Sequence, residues 1–322
     1  MSQRYAALMG ALVADAASMG THWIYSSERV KSLQSLPHFP FIEPDAQHYQ
    51  GVDGYYAHDK LTAGELTTYG EWLALYTRLL SQPGIETRKI QQEILEYFGP
   101  GGDFIGYVDS PTKALLLTLF SMEPDDWPDD SGSDDDQNPA LCAVPALVAL
   151  KMPSVELENE IERVVGITHQ NEMAIACAKA FASALNEALR SRRMEPALNV
   201  LKVKSPEIIQ EKIEQVRVLS GDVNDLSHVL AIVNQACHLS DSLPMAAWIL
   251  QNSSSYTEAI INNILVAGDS CGRGILVGAM AGACYGFGDQ KGIPISWVTM
   301  LQCGDALAED IEQLLHNASG AF

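Results

Sequence analysis

The feature that most constrains this chain is a ladder of glycines close to its C-terminal end. Gly274, Gly278, Gly282 and Gly286 recur at strict four-residue spacing through the apolar stretch 273–286. On a helix that spacing stacks them along one ridge, where a neighbouring helix can approach to backbone contact. Left isolated, each glycine would cost about 1 kcal/mol of helix stability relative to alanine, so four in register imply compensating close packing. Asp269, Arg273 and Asp289 flank the run, leaving less than the roughly 20 apolar residues that a membrane span needs. The ridge is therefore expected in a buried core helix.

The first helix, at the opposite end of the chain, is similar in character. Leu8, Leu12, Asp15 and Met19 share one helical face, while Ala7, Gly10, Ala11, Ala14 and Ala17 crowd the rest. A carboxylate at Asp15 cannot easily leave such a helix's core, so it is expected either as a hydrogen-bond hub or as part of a site. Apolar residues recur at three- and four-residue intervals through 5–19, 71–80, 112–120, 140–150, 172–189, 207–219, 226–238, 244–250, 257–267 and 273–285. Period-two alternation is scarce, which predicts an all-α fold. The 322 residues can bury a large core, and one domain over 1–322 is expected. Two loops interrupt it, at about 31–68 and about 123–138.

Charge narrows the partners. Lys and Arg number 20 against 41 Asp and Glu, a formal net charge of −21, with a pI near 4.6. Binding to a phosphate backbone or an anionic membrane has no electrostatic support. Many of the acids fall in the 123–138 stretch, read as a solvated loop. The six cysteines form no CxxC pair and no dense framework, which points to a reducing, cytoplasmic setting.

Polar residues gather at helix ends. Gly268-Asp269-Ser270-Cys271-Gly272 precedes the glycine-ridged helix, making Asp269 or Ser270 its N-cap. Thr168-His169-Gln170-Asn171-Glu172 also reads as a helix start, with Thr168 as cap. His22-Trp23 follows the first helix, and Glu65 to Trp72 precedes another. Converging helix termini of this kind are where bundle folds build sites.

The order of these motifs carries a resemblance. A Gly-x-x-x-x-Asp-Ala helix is followed by a Thr-rich turn near residue 68 and an Asn-x-x-x-x-x-x-Pro segment from Asn138 to Pro145. Thr168-His169 comes next, then Gly-Asp-Ser ahead of Gly-Ala-x-x-Gly-Ala-x-Tyr-Gly at 278–286. From Gly10 to Gly286 the chain resembles the ADP-ribosylglycohydrolase superfamily. The resemblance implies an all-α orthogonal helical bundle with a central cleft, where typical members hold two Mg2+ ions that grip ribose hydroxyls and assist hydrolysis at the anomeric carbon. It also implies that the apolar N-terminus is the family's first helix and not a signal peptide.

Departures from the family pattern are concentrated at the metal turns. Typical members carry Thr-Asp-Asp-Thr, where this chain reads Thr68-Tyr69-Gly70-Glu71, and Gly-Asp-Thr-Asp-Thr, where it reads Gly268-Asp269-Ser270-Cys271-Gly272. Only Asp269 matches among the four metal carboxylates, and a thiol is a poor ligand for Mg2+. A two-Mg2+ cluster is therefore not expected, and at most one Mg2+ would sit on Asp269 and Glu71. His22-Trp23-Ile24-Tyr25, Gly64 to Glu71 and Gly268 to Arg273 are similar to the J-type crystallin and selenoprotein J branch, which raises the expectation of a non-catalytic role.

What the resemblance implies for this chain is a divergent hydrolase acting on, or binding, a ribosyl, nucleoside or sugar-like ligand. A crystallin-like structural or ligand-binding protein is the alternative, and a true Mg-dependent ADP-ribosyl hydrolase the second. Glu71 is the candidate acid or base and His169 a proton carrier. Asp269 would be the residual ligand, and Cys271 a thiol activated at a helix N-terminus. The ligand would be met by Asp15, His22, Thr68, Tyr69, Gly70, Asn138, Ser270 and Gly272.

Overall fold

The computed structural model describes residues 2–219 and 221–320; Met1, Ser220, Ala321 and Phe322, inside the expected 1–322 range, lie outside the described residues. Helices follow one another along the chain: α1 (Gln3–Ser18), α2 (Ser27–Leu33), α3 (Thr68–Leu80), α4 (Thr87–Phe98) and α5 (Ser110–Phe120). Next come α6 (Val144–Ala149), α7 (Ser154–Gly166), α8 (Glu172–Ser191), α9 (Met194–Lys204), α10 (Glu207–Arg217) and α11 (Ser227–Leu230). The last are α12 (Leu239–Gln251), α13 (Tyr256–Val266), α14 (Ser270–Tyr285), α15 (Ile295–Val298) and α16 (Gly304–Gly320). Extended pairing among the described residues is limited to isolated bridges such as Ile24 with Gly54 and Ser133 with His169. The all-α expectation holds. No helix among the described residues is long and apolar enough to cross a membrane.

The centre is the pair α1 and α14. A methyl group on Gly10 would sit 2.6 Å from the Gly278 carbonyl oxygen, and one on Gly278 would strike Gly10 and Ala14 in return. Gly282 meets Ala6 in the same way. The glycine ridge thus lies backbone to backbone against the small-residue face of α1, as its spacing predicts. Tyr256 on α13 donates its hydroxyl to the Gly10 carbonyl at 2.6 Å and closes the packing from the side. Around this pair one contiguous apolar cluster runs from Tyr5 to Leu314.

Several helices went unread in the sequence because their apolar stripe is narrow. α4 buries only Ile90, Gln91, Ile94 and Phe98, and α7 buries Leu157, Ile161 and Val164 to Gly166. Both show the i, i+4, i+7 or i+8 rhythm of a surface helix whose other positions are charged. The opposite error lies at 226–238, where the expected helix is reduced to Ser227–Leu230. Beyond it the chain is held by polar partners: Asn234 donates to Asp241 at 2.6 Å, and the Gln235 carbonyl accepts the Asp269 N–H at 2.9 Å.

Both expected loops are anchored. In 31–68, α2 ends at Leu33, a 3-10 turn spans Ala46–Tyr49, and Phe41 and Ile42 enter the core. The acidic stretch is solvated through most of 123–130 and then enters the body. Gly132 and Ser133 pair with the chain at Gly166 and Thr168, and Asp136 meets His238 at 2.6 Å.

Candidate functional site: a closed carboxylate cluster

The site is built on the turn that leads into α14. Ala267 and Gly268 both have positive φ, 71° and 72°, an uncommon and strained setting for the alanine. The turn is held from several sides. Trp23 N–H donates to the Gly268 carbonyl at 2.9 Å and Gly268 N–H to the Ile24 carbonyl at 2.7 Å. Buried Arg273 grips the Ala267 carbonyl at 2.9 Å and Asn263 at 2.8 Å. Burial lowers the Arg273 guanidinium to about 10, still charged at neutral pH.

This turn aims Asp269, the N-cap of α14, at four donors. Oδ1 accepts His22 Nε2 at 2.8 Å and the Gly272 N–H at 3.0 Å. Oδ2 accepts Asn138 Nδ2 at 2.8 Å and the Tyr69 hydroxyl at 3.1 Å. The group is fully buried. Burial pushes its carboxyl up, but the bonds and charge of His22, then Asn138 and Gly272, outweigh that and hold it below the ordinary carboxylate range. Gly272 leaves the room required, since a methyl there would sit 2.6 Å from Asp269 Oδ2 and 2.8 Å from Asn138 Cβ.

Behind His22 the network continues. His22 Nδ1 lies 2.7 Å from His58 Nε2, and the two rings stack with centroids 5.0 Å apart. With Nε2–H of His22 donating to the ionised Asp269, the line of contacts runs from His58 through His22 to Asp269, a direction assigned from the network. His58 Nδ1 then ends the chain with no partner among the described residues. Burial and neighbouring His22 push the His58 pKa well down, so its neutral form is favoured.

Asp15 lies close by with a different environment. Its two oxygens meet one residue, accepting the Thr67 N–H at 2.8 Å and the Thr67 hydroxyl at 2.5 Å. Burial raises its carboxyl to about 7; Thr67 pulls the value down, and the charges of Glu71 and Asp269 push it up. Gly70 makes the space, because a side chain there would collide with the Asp15 carboxylate.

The remaining candidates are dispersed. Glu71, two residues and about 200° around α3 from Tyr69, accepts the Tyr97 hydroxyl at 2.6 Å and takes no part in the Asp269 cluster. Burial raises its carboxyl. His169 is fully buried, with Nδ1 2.8 Å from the Thr168 hydroxyl and Nε2 4.0 Å from Asp135; burial lowers it to about 3. Thr168 does not cap α8, because Asn171 does so by accepting the Ala174 N–H at 3.1 Å. Thr68 donates to the Tyr107 carbonyl. The Ser270 carbonyl accepts Asn263 Nδ2 at 2.7 Å, and its hydroxyl has no partner among the described residues.

Cys271 has surroundings opposite to those of an activated thiol. It is fully buried, donates to the Asp15 carbonyl at 3.5 Å, and is pushed well above the ordinary thiol range by burial and then by Asp15 and Asp269. The dipole of α14 does not compensate for two nearby carboxylates in a dry site.

Two participants escaped the sequence. His58 sits in the long loop with no local pattern to mark it. Asp109 caps α5, accepting the Thr112 N–H at 2.9 Å, while its Oδ2 has no partner among the described residues and burial raises its carboxyl to about 6. The Asp109-Ser110-Pro111 helix-start signature was the available signal.

The donor set does not fit a Mg2+ pair. Both Asp269 oxygens are already engaged by protein donors, and the atoms facing them are an imidazole N–H, a backbone N–H, an amide NH2 and a hydroxyl in place of further carboxylates. Among the described residues no group of three His, Cys, Asp or Glu side chains is placed to hold a metal ion.

Known proteins share this architecture. A family model described as ADP-ribosylglycohydrolase matches residues 2–321. Crystallin J1A of Tripedalia cystophora is 25% identical over 96% of this chain and 95% of its own. Crystallin J1B of the same organism is 22% identical over the same shares. A solved structure titled ADP-ribosylglycohydrolase-related protein complex superposes with a TM-score of 0.71 at 17% identity, covering 98% of this chain and 99% of that one. With the family pattern spanning nearly every residue and the helical scaffold shared, the chain belongs to the ADP-ribosylglycohydrolase family.

Proposed function

We propose that this chain is a metal-independent member of its family that binds a ribosyl or nucleotide-like ligand and does not run two-metal hydrolysis. The observation that carries the reading is the saturation of Asp269 by His22, Gly272, Asn138 and Tyr69. A divalent ion would have to displace those donors and pay their desolvation with one carboxylate in hand. The crystallin relatives support a role without turnover, and the free cysteines support a reducing, cytoplasmic setting. The test is calorimetric titration with MgCl2, paired with an assay for release of ADP-ribose from an ADP-ribosylated peptide. No heat of binding and no Mg2+-dependent release are expected. Crystals grown in Mg2+ with two ions about 3.5–4 Å apart would overturn the reading.

One observation favours a second reading, metal-free hydrolysis of a glycosidic bond. Asp15, raised to about 7, is a carboxyl that can hold a proton at neutral pH, as a general acid requires. Its enclosure by Thr67 and Gly70 ranks this reading second. Turnover of a ribosyl substrate without metal, abolished in Asp15→Asn, would establish it.

A further inference from the structure

Outside the closed cluster lies a hollow of about 630 Å³, lined by the 55–60 stretch of the long loop and by 106–113 ahead of and within α5. Its volume falls in the range of small-molecule sites. Two rings of its wall, Tyr55 and Tyr107, are backed by a third, Trp23. Trp23 packs on Tyr55 with centroids 5.8 Å apart and edge-on against Tyr107 at 5.2 Å, while Tyr55 and Tyr107 are 5.7 Å apart. Tyr55 keeps 55% of its surface exposed, so this aromatic group is not spent on the core.

The charge here runs against the rest of the molecule. Lys60 and Lys113 line the hollow against Asp59 alone, in a chain of net charge −21. The Lys113 ammonium stands 4.6 Å from the Tyr107 ring centre, and neither lysine forms an ion pair among the described residues. Elsewhere the balance is reversed or the rings are missing. The hollow beside His169 sets Asp130, Glu162 and Glu172 against Lys179. A smaller one has Lys202 and Arg217 against Glu214 but no aromatic ring.

These two features select a guest. Two ammonium groups disfavour a cation, although the rings alone would suit one. A bare anion would leave the rings unused. A flat ring with an anionic group satisfies both, the ring stacking on the exposed Tyr55 and the anion meeting the lysine ammonium groups that line the hollow. We infer that this hollow docks a nucleoside monophosphate. The class of ligand rests on the binding reading above, and the place rests on the hollow's own geometry. Trp23 ties the hollow to the centre, since its other contact is the His22 ring, stacked at 4.2 Å.

The test titrates the full-length protein with adenosine 5′-monophosphate, read by calorimetry and by tryptophan fluorescence. Adenosine and inorganic phosphate serve as the two halves of the probe. Tyr55→Ala and the double variant Lys60→Ala/Lys113→Ala alter exposed side chains and leave the core intact, with circular dichroism to check folding. The monophosphate should bind more tightly than either half, and each variant should weaken it by about tenfold or more. Added salt should weaken the monophosphate and spare adenosine. Absence of binding at millimolar concentration overturns the inference, as does phosphate binding as tightly as the nucleotide. Nucleotide binding unchanged in both variants removes the place while leaving the binding reading intact. Mg2+-dependent hydrolysis removes that reading while the variants still report on the hollow.

Discussion

Asp15 and Asp269 are both fully buried, on the two helices that touch through glycine, yet they are pushed in opposite directions. Asp269 falls below the ordinary carboxylate range, and Asp15 rises to about 7. Burial acts the same way on each, so it cannot be the source of the difference. Asp269 receives donors from four residues, His22 first among them, whereas Asp15 is bonded among the described residues by Thr67 alone and faces the charges of Glu71 and Asp269. The number and charge of partners, more than depth, decides whether a buried carboxylate stays ionised.

The sharpest way to break the comparison is to remove the better-held member. Asp269→Ala strands His22, Tyr69 and Asn138 in a dry site, and urea denaturation at pH 7 should show a loss of about 3–5 kcal/mol. A loss below about 1 kcal/mol would mean that the four bonds are replaced by water and that the cluster is not closed.

A pH series sharpens the contrast next. The folded value of Asp15, about 7, lies above its ordinary 3.8, so the folded state keeps a proton that the unfolded chain releases. Its contribution is complete below the ordinary value and lost as the pH climbs through 7. Asp269 works in reverse, stabilising above the ordinary range and failing as the pH falls through its lowered value. Asp15→Asn removes one titration and leaves Asp109 and His169 in both proteins. Between pH 4 and 8 the wild type should lose up to about 4 kcal/mol relative to the variant. Parallel stability curves would place Asp15 in a wetter site than its burial indicates.

The smallest effect to be measured is a labelling order. Cys303 is exposed and Cys271 buried, so brief alkylation with iodoacetamide should modify Cys303 first and reach Cys271 only on unfolding. Early labelling of Cys271 would open the α14 N-terminus to solvent and undo the description of a sealed centre.

The frame of this arrangement is legible in the sequence, and its closure is not. Four glycines at a fixed interval foretell a backbone-close helix contact along α14, though not that α1 makes it, because helix geometry is local, and Gly-Asp-Ser ahead of them foretells the N-cap. The bond between His22 and Asp269 joins residues 247 apart in the chain, and no local pattern encodes such a distance. His58 is farther from prediction still, resting on loop path alone. Glu71 shows the converse limit. Its type and position in the turn were suggestive, but helical rotation sends it to Tyr97 on the other side of α3.

The contact between α1 and α14 has an electrical consequence. Because the main chains themselves touch, the spacing of the helix that carries one acid and the helix capped by the other is set at the backbone. That fixed spacing keeps the Asp269 charge within reach of Asp15, where it adds to the burial and the Glu71 charge that raise the Asp15 carboxyl. Glycine, which has no charge and no side chain, thereby helps to set the field in which a buried acid sits.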